Sequence, residues 1–307
     1  MSRGLGRRFI EKGIMRGVGY DTFWIGEYWI RHFVFDSLED YLSYLQKAET
    51  HEAFLRGAQA SEAGSEEFTL TESLDEAIEL CRFGWHDGFN DLVALVEKVK
   101  RNLDIKIDPN RTFHDYVGFA PDVKAYLEGS PLTMINKPVV HKPLVTIYMN
   151  TSYAGNEPRE RIYARGAIVL AAAEALELMG FMVDLRLFEM SYVDKDIHLS
   201  EYRLKMPDER VNLQKLYFPL CHPAWVRRLN FRLIETSPNM TDAWAGCYGI
   251  PAETSMIRMV LGLGDGDILI PTIDEMKLEG VDVLADAQKL FDRINVGLPK
   301  DKQLVLR

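Results

Sequence analysis

Cysteine is scarce. Cys81, Cys221 and Cys247 are the only three in 307 residues, and no two stand in a CxxC spacing. That excludes a disulfide framework and the paired ligand spacings of small zinc domains. The thiols are expected as small buried hydrophobes in a reducing compartment. Long apolar runs are also missing: nothing approaches the roughly 20 residues that a membrane-spanning helix needs. The start, Met1 to Ile10, lacks the apolar stretch of a secretory signal, so a soluble, cytoplasmic protein is expected, with no membrane partner. Basic charge falls short too. Lys and Arg number 36 against 46 Asp and Glu, a net charge of −10. Such a body repels phosphate backbones, which excludes wholesale coating of nucleic acid. One stretch departs from this balance. Arg3, Arg7, Arg8, Lys12 and Arg16 face only Glu11 over the first sixteen residues, a basic arm suited to an acidic partner or a nucleic acid.

What is present is a strand–helix–strand unit. The apolar run Leu144–Met149 ends in the polar Asn150-Thr151-Ser152; a helical pattern follows from about Glu157 to Met179, stopped by Gly180; a second apolar run covers Phe181 to Phe188. This order predicts a βαβ unit with parallel strands, and a polar loop at a strand's carboxyl end, where such sheets bind ligands. The fold expected is α/β: a mainly parallel, Rossmann-like sheet flanked by helices and preceded by a small α+β region.

Four segments follow from the patterning: a basic arm over 1–20, a small α+β region over 21–102, a proline-containing connector over 103–143 packed along the next domain, and an α/β domain over 144–307. In the second segment, Tyr28–Phe35 reads as a strand. Asp36-Ser37-Leu38-Glu39 and Ser73-Leu74-Asp75-Glu76 read as helix starts, and Phe68-Thr69-Leu70 as a short strand. In the connector, Pro121 to Leu127 reads as a short helix stopped by Gly129. In the last segment, Asp194 to Glu209 reads as charged and irregular, Val211 to Leu220 as a third strand, and Ile268–Ile270 as a fourth. A helix opens at His222-Pro223 and another closes the chain over Asp282–Ile294.

Candidate sites are few. Asn150 and Ser152 at the strand tip, with Asp267 near the last strand, form one set of loop contacts. His222, Arg227 and Arg228 could bind an anion at a helix start. Gly262 to Asp267 is glycine-rich but precedes a strand, so it reads as a turn rather than a dinucleotide loop. Ser152, His222 and Asp267 can be drawn as a triad, but Ser152 lacks the Gly-x-Ser-x-Gly elbow. Asp184 and Glu189 differ by five positions, so on one strand they face opposite sides and cannot share a metal. Gly166, inside the long helix, costs about 1 kcal/mol against alanine, which a close approach of another backbone would justify.

The order of strand, polar tip, long helix and strand resembles a von Willebrand A-type domain. That family carries Asp-x-Ser-x-Ser at this tip and holds a divalent cation there. Asn150 stands at the Asp, Ser152 at the first Ser and Ala154 at the second Ser, so the resemblance implies a tip altered at two of its ligands, with no metal and no cofactor expected. A second resemblance rests on Glu76 to Leu80 with Gly84-Trp85, Pro121-Asp122-Val123 and Tyr126 to Pro131. It continues through Arg165-Gly166-Ala167, Leu176 to Gly180 and His222 to Arg228. These fragments are similar to an uncharacterised family encoded by bacteriophages and mobile elements, and imply a host-cytoplasm or virion setting. The reading is a non-enzymatic protein-interaction protein with a protein partner. A metal-dependent hydrolase or nuclease, and a nucleic-acid binder acting through Arg3, Arg7 and Arg8, are the alternatives.

Overall fold

The computed structural model describes residues 17–55, 57, 59–105, 113–118, 120–136, 142–245 and 247–307. Arg3, Arg7 and Arg8 of the basic arm lie outside the described residues. In chain order the chain forms β1 (Val18–Ile25), β2 (Tyr28–Phe35), α1 (Leu38–Lys47), α2 (Ala60–Ala63), α3 (Glu66–Thr69), α4 (Leu74–Phe83) and α5 (Phe89–Arg101). Next come β3 (Phe113–Asp115), β4 (Ala120–Pro121), α6 (Val123–Leu127), β5 (Met134–Asn136), β6 (Leu144–Asn150), α7 (Arg159–Leu178), β7 (Met182–Val193) and β8 (Asp196–Lys205). The remainder is α8 (Leu213–Cys221), a π-helical stretch (Trp225–Asn230), α9 (Phe231–Glu235), β9 (Ile250–Pro251), α10 (Thr254–Leu261), β10 (Ile268–Ile270), α11 (Ile273–Met276) and α12 (Val283–Asn295).

The protein is mixed α/β with a central sheet flanked by helices. Its strand order is β1-β2-β8-β7-β6-β10, with β9 beside the end of β7. The pairs β6–β7, β6–β10 and β2–β8 are parallel, the first of them the expected βαβ unit. Two antiparallel hairpins, β1–β2 and β7–β8, complete the sheet. The strands of the expected amino-terminal α+β region therefore hydrogen-bond into the same sheet as residues 144–307.

Local chemistry explains the helices. Ser37 and Ser73 accept the amides of Asp40 and Glu76 at the starts of α1 and α4, and Asp282 caps α12; each such cap stabilises by about 1 kcal/mol. Helix α7 is buried nearly all round, as a helix enclosed on every side must be. Gly166 lets it sit there. A Cβ at this position would lie 2.6 Å from the Leu220 carbonyl oxygen of α8 and 2.2 Å from Cys221 Sγ, the close approach expected from the sequence.

Three expectations are corrected. The third strand is not Val211–Leu220, which forms α8: Leu213, Leu216, Tyr217 and Leu220 recur at helical spacing, and Asn212 caps the Lys215 amide. The strand is instead β8, in the segment read as irregular. Asp194, with φ +53°, and Lys195 make the two-residue hairpin turn that starts it. Its charges are paired internally: Asp196 with Arg31, Glu201 with His32, Arg203 with Asp184 and Lys205 with Glu177. Phe68-Thr69-Leu70 is not a strand either; Ser65 caps the short helix α3, and Leu70 ends it in the left-handed region.

The main core lies between the sheet and α1, α4, α5, α7, α8 and α12, with a smaller one under α10 on the other face. At the start of the connector Leu103 is buried and Ile105 packs against the main core. Strands β3, β5 and β4 form a separate three-stranded sheet carrying α6. No described residue from 114 to 135 is buried. Of its apolar residues, Tyr116, Val117, Val123, Tyr126 and Leu127 are exposed, while Leu132, Met134 and Ile135 are half-buried.

Candidate functional site at the tip of the sixth strand

Parallel pairing carries β6 up to Asn150, opposite Phe188. The next amide continues the ladder, with Thr151 N donating to the Phe188 carbonyl at 2.9 Å. Asn150, Thr151, Ser152 and Tyr153 are all buried. Asn150 Oδ1 accepts the Ser152 amide at 2.9 Å. Ser152 Oγ accepts the Met190 amide at 3.1 Å and lies 3.4 Å from the Met190 carbonyl. Tyr153 donates its hydroxyl to the Pro223 carbonyl at 3.0 Å. The two oxygens that would face a cation, Asn150 Oδ1 and Ser152 Oγ, thus each already accept a backbone N–H. A hard cation takes about six or more oxygen ligands, and these two oxygens are already engaged as acceptors. Among the described residues no group of three or more His, Cys, Asp or Glu side chains is placed to hold a metal.

Asp267 is not part of this tip. It is exposed and precedes β10, whose Ile268 pairs with Ile147 and Ile270 with Met149. In this register Asp267 falls beside Thr146, four residues or about 13 Å of strand rise short of Asn150. Asp267 Oδ2 instead accepts the Gly264 amide at 2.7 Å within the expected turn. The Ser152, His222, Asp267 triad is therefore not assembled. The residue that β10 delivers to the tip is Pro271, whose carbonyl accepts from Arg165 Nη1 at 3.3 Å.

His222, Arg227 and Arg228 are brought close in sequence but used inwardly. His222 stands between α8 and the π-helical stretch. Its ring stacks on Phe218 at 4.6 Å and meets Trp85 edge-on at 4.4 Å, while Nδ1 accepts the Ala224 amide at 3.1 Å. Burial pushes it down to about 3, so the ring is neutral at pH 7. Arg227 donates to the carbonyls of Phe68, Gly155 and Glu157 at 2.7, 3.1 and 2.9 Å, with its guanidinium 4.1 Å from the Phe68 ring. Arg228, fully buried, donates to the carbonyls of Ser61, Glu62, Gly64 and Thr71 and to the Thr71 hydroxyl. These donors clamp the 59–72 segment rather than await an anion. The wide π turn, a feature found mostly as short insertions, points both arginines into that segment.

Arg165 and Glu189 lie on the helix-covered face of the same sheet end, in contacts that sequence reasoning did not foresee. Arg165, from α7, is buried; Nη1 donates to the Asn150 carbonyl at 2.9 Å, and burial lowers its guanidinium to about 10. Its neighbour Gly166 marked the helix, but nothing local marked the arginine. Glu189, from β7, reaches Thr151 Oγ1 at 3.0 Å. Asp184, five positions earlier, faces the other side and pairs with Arg186 and Arg203, the separation expected of one strand. Further along, Arg31 pairs with Asp196 and donates twice to the Asn239 carbonyl. His198 Nε2 lies 2.8 Å from Ser237 Oγ, but Ser237 gives its proton to the Leu233 carbonyl at 2.7 Å. Both side chains are buried, and burial beside Arg31 holds His198 down at about 3. The pair is a satisfied core contact, not a nucleophile with its base.

A family model described as a domain of unknown function, DUF7192, matches residues 19–296. The chain belongs to this uncharacterised family. No curated protein and no solved structure matches it. The match covers both the amino-terminal hairpin and α12, in keeping with one sheet built from both halves of the chain. No helix among the described residues is long and apolar enough to cross a membrane.

Proposed function

We propose that this protein is a non-enzymatic interaction protein of a bacteriophage or mobile element, and that it engages a protein partner through the 113–136 flap. One observation carries the reading. Tyr116, Val117, Val123, Tyr126 and Leu127 are between 65 and 78 % exposed on a small sheet that buries none of its own described side chains. A contiguous apolar display on an otherwise soluble-type surface is the usual mark of a contact site, and tyrosines are favoured anchors in such contacts. The von Willebrand A-like character is part of this proposal. It is supported by the order β6, polar tip, α7, β7, and by a tip whose oxygens are engaged internally, which leaves the domain as scaffold. Capture from infected cells tests the reading. A specific protein should copurify with the wild type and be lost from a Tyr126→Asp, Leu127→Asp variant that still folds. Equal capture by both would remove the flap from the account, and turnover of a phosphodiester or ester by the purified protein would replace it with the hydrolase alternative.

A further inference from the structure

Helix α6 is five residues long, far below the roughly 12–15 that a helix needs to hold in water unaided. Both of its ends are nonetheless fixed. Asp122 Oδ1 accepts the Lys124 and Ala125 amides at 2.9 and 3.1 Å, as an N-cap does. At the other end Gly129 stands in the left-handed region, φ +74°, and the Ser130 amide donates back to the Ala125 carbonyl at 3.0 Å, which is a Schellman closure. The Asp122 amide also donates to the Thr133 carbonyl at 2.7 Å, just before β5, and His114 Nε2 of β3 lies 2.7 Å from Asp122 Oδ2. The flap's sheet therefore sets where the helix starts.

What these bonds hold in place is a face. Val123, Tyr126 and Leu127 stand at i, i+3 and i+4, on one side of the helix, and all three are exposed. Ala125, on the other side, is half-buried. The nearby charges are matched among themselves: Lys124 Nζ lies 3.8 Å from Glu128 Oε1, and His114 pairs with Asp122. The face therefore calls for no counter-charge and fits an apolar surface. Size decides the shape of that surface. Val123, Tyr126 and Leu127 together offer on the order of 400 Å², whereas a specific interface takes about 800 Å² from each side. The same face on a second copy would supply only about half of what is needed. A groove closing around the helix covers its flanks as well and makes up the difference.

Resting on the reading that the flap contacts a protein, we propose that α6 is the inserted element: its Val123, Tyr126 and Leu127 face seats in an apolar groove of the partner. Helices taken up in this way are read through anchors at i, i+3 and i+4. Fixing the helix beforehand through Asp122 and Gly129 spares the complex the entropy of ordering it.

The probe is the eluate of the immobilised wild-type chain after exposure to a lysate of infected cells. It is reapplied to full-length variants whose thermal midpoints match the wild type. Val123→Ala, Tyr126→Ala and Leu127→Ala should each weaken retention of the same protein at least about fivefold, while Lys124→Ala and Glu128→Ala should change it less than about twofold. Asp122→Ala should cost about fivefold without touching an apolar side chain, and Asp122→Asn, which caps equally well, should restore retention. Equal losses at 124 and 128, or an unaffected Asp122→Ala, would overturn the proposal. Loss only in Tyr116→Ala and Val117→Ala would keep the flap contact and remove α6 from it. No effect in any of these variants, or no protein in the eluate, would remove the flap reading and this inference together. Sedimentation showing a wild-type dimer that Leu127→Asp makes monomeric would give the face to a second copy and overturn the groove.

Discussion

At the tip of β6 the polar side chains are buried and mostly bonded to one another or to backbone; on the 113–136 flap five large apolar side chains stand in solvent. The first arrangement inverts what a ligand loop does, and the second inverts what a packed connector does. The difference teaches where to look for function in this fold. A polar residue at a strand's carboxyl end invites a site, yet here Asn150 and Ser152 serve the backbone of their own turn and of β7. An apolar residue in a connector invites packing, yet here Tyr126 and Leu127 are exposed. Burying a polar group with its partners costs little, whereas leaving large apolar groups in water is unfavourable until something covers them.

The largest expected effect lies at the buried end. Arg228→Met would strand the carbonyls of Ser61, Glu62 and Gly64, whereas the Thr71 carbonyl keeps the Thr69 hydroxyl. The loss should be about 3 kcal/mol or more, because each orphaned buried acceptor costs about 1–3 kcal/mol. Denaturant midpoints read it; a variant within 1 kcal/mol (on the order of one unpaired group) would show that water replaces the guanidinium. Next comes Gly166→Ala. In an isolated helix alanine is favoured by about 1 kcal/mol, but here its Cβ would press on the Leu220 carbonyl and Cys221 Sγ. A net loss of about 1–3 kcal/mol is expected from overpacking, and thermal stability equal to wild type would mean that α7 and α8 separate freely.

How much of this was readable without coordinates depends on how far apart the partners lie in sequence. Ser37, Ser73 and Asp282 announced their helices because a cap and its amide are three residues apart or fewer. The unit β6–α7–β7 was readable because its apolar runs are uninterrupted. Strand β8 was not, since its charges resemble those of a solvated loop until Arg31, His32, Asp184 and Glu177 arrive to pair them. The tip was located correctly, but its character was set by Met190, Glu189 and Trp225, which no local pattern ties to Thr151 and Ser152. The exposure of the flap was equally hidden: Tyr116, Val117, Val123, Tyr126 and Leu127 are apolar enough for a core, and nothing in their spacing marks them as exposed.

Smaller effects sharpen the comparison. Calcium, magnesium and manganese should bind weakly or not at all at the tip, since Asn150 Oδ1 and Ser152 Oγ already accept amides. Titration calorimetry showing micromolar affinity, abolished by Ser152→Ala, would restore the metal-site reading. The flap variant Tyr126→Asp, Leu127→Asp should unfold within about 0.5 kcal/mol of wild type, as exposed substitutions do. A larger loss would mean that the flap packs against the body in solution. Deleting residues 1–16 should change nucleic-acid binding least at physiological salt. Tight binding by the full chain, lost on deletion together with a salt slope of roughly 0.9 per phosphate contact on duplex DNA, would put the basic arm first.

The comparison itself is tested most directly by hydrogen exchange of the full chain, alone and with its captured partner bound. Partner binding should slow exchange across 113–136 and leave the amides of Thr151, Ser152 and Met190 unchanged. Protection appearing at Thr151, Ser152 and Met190 while the flap exchanges as before would contradict the account and return the contact to the strand tip.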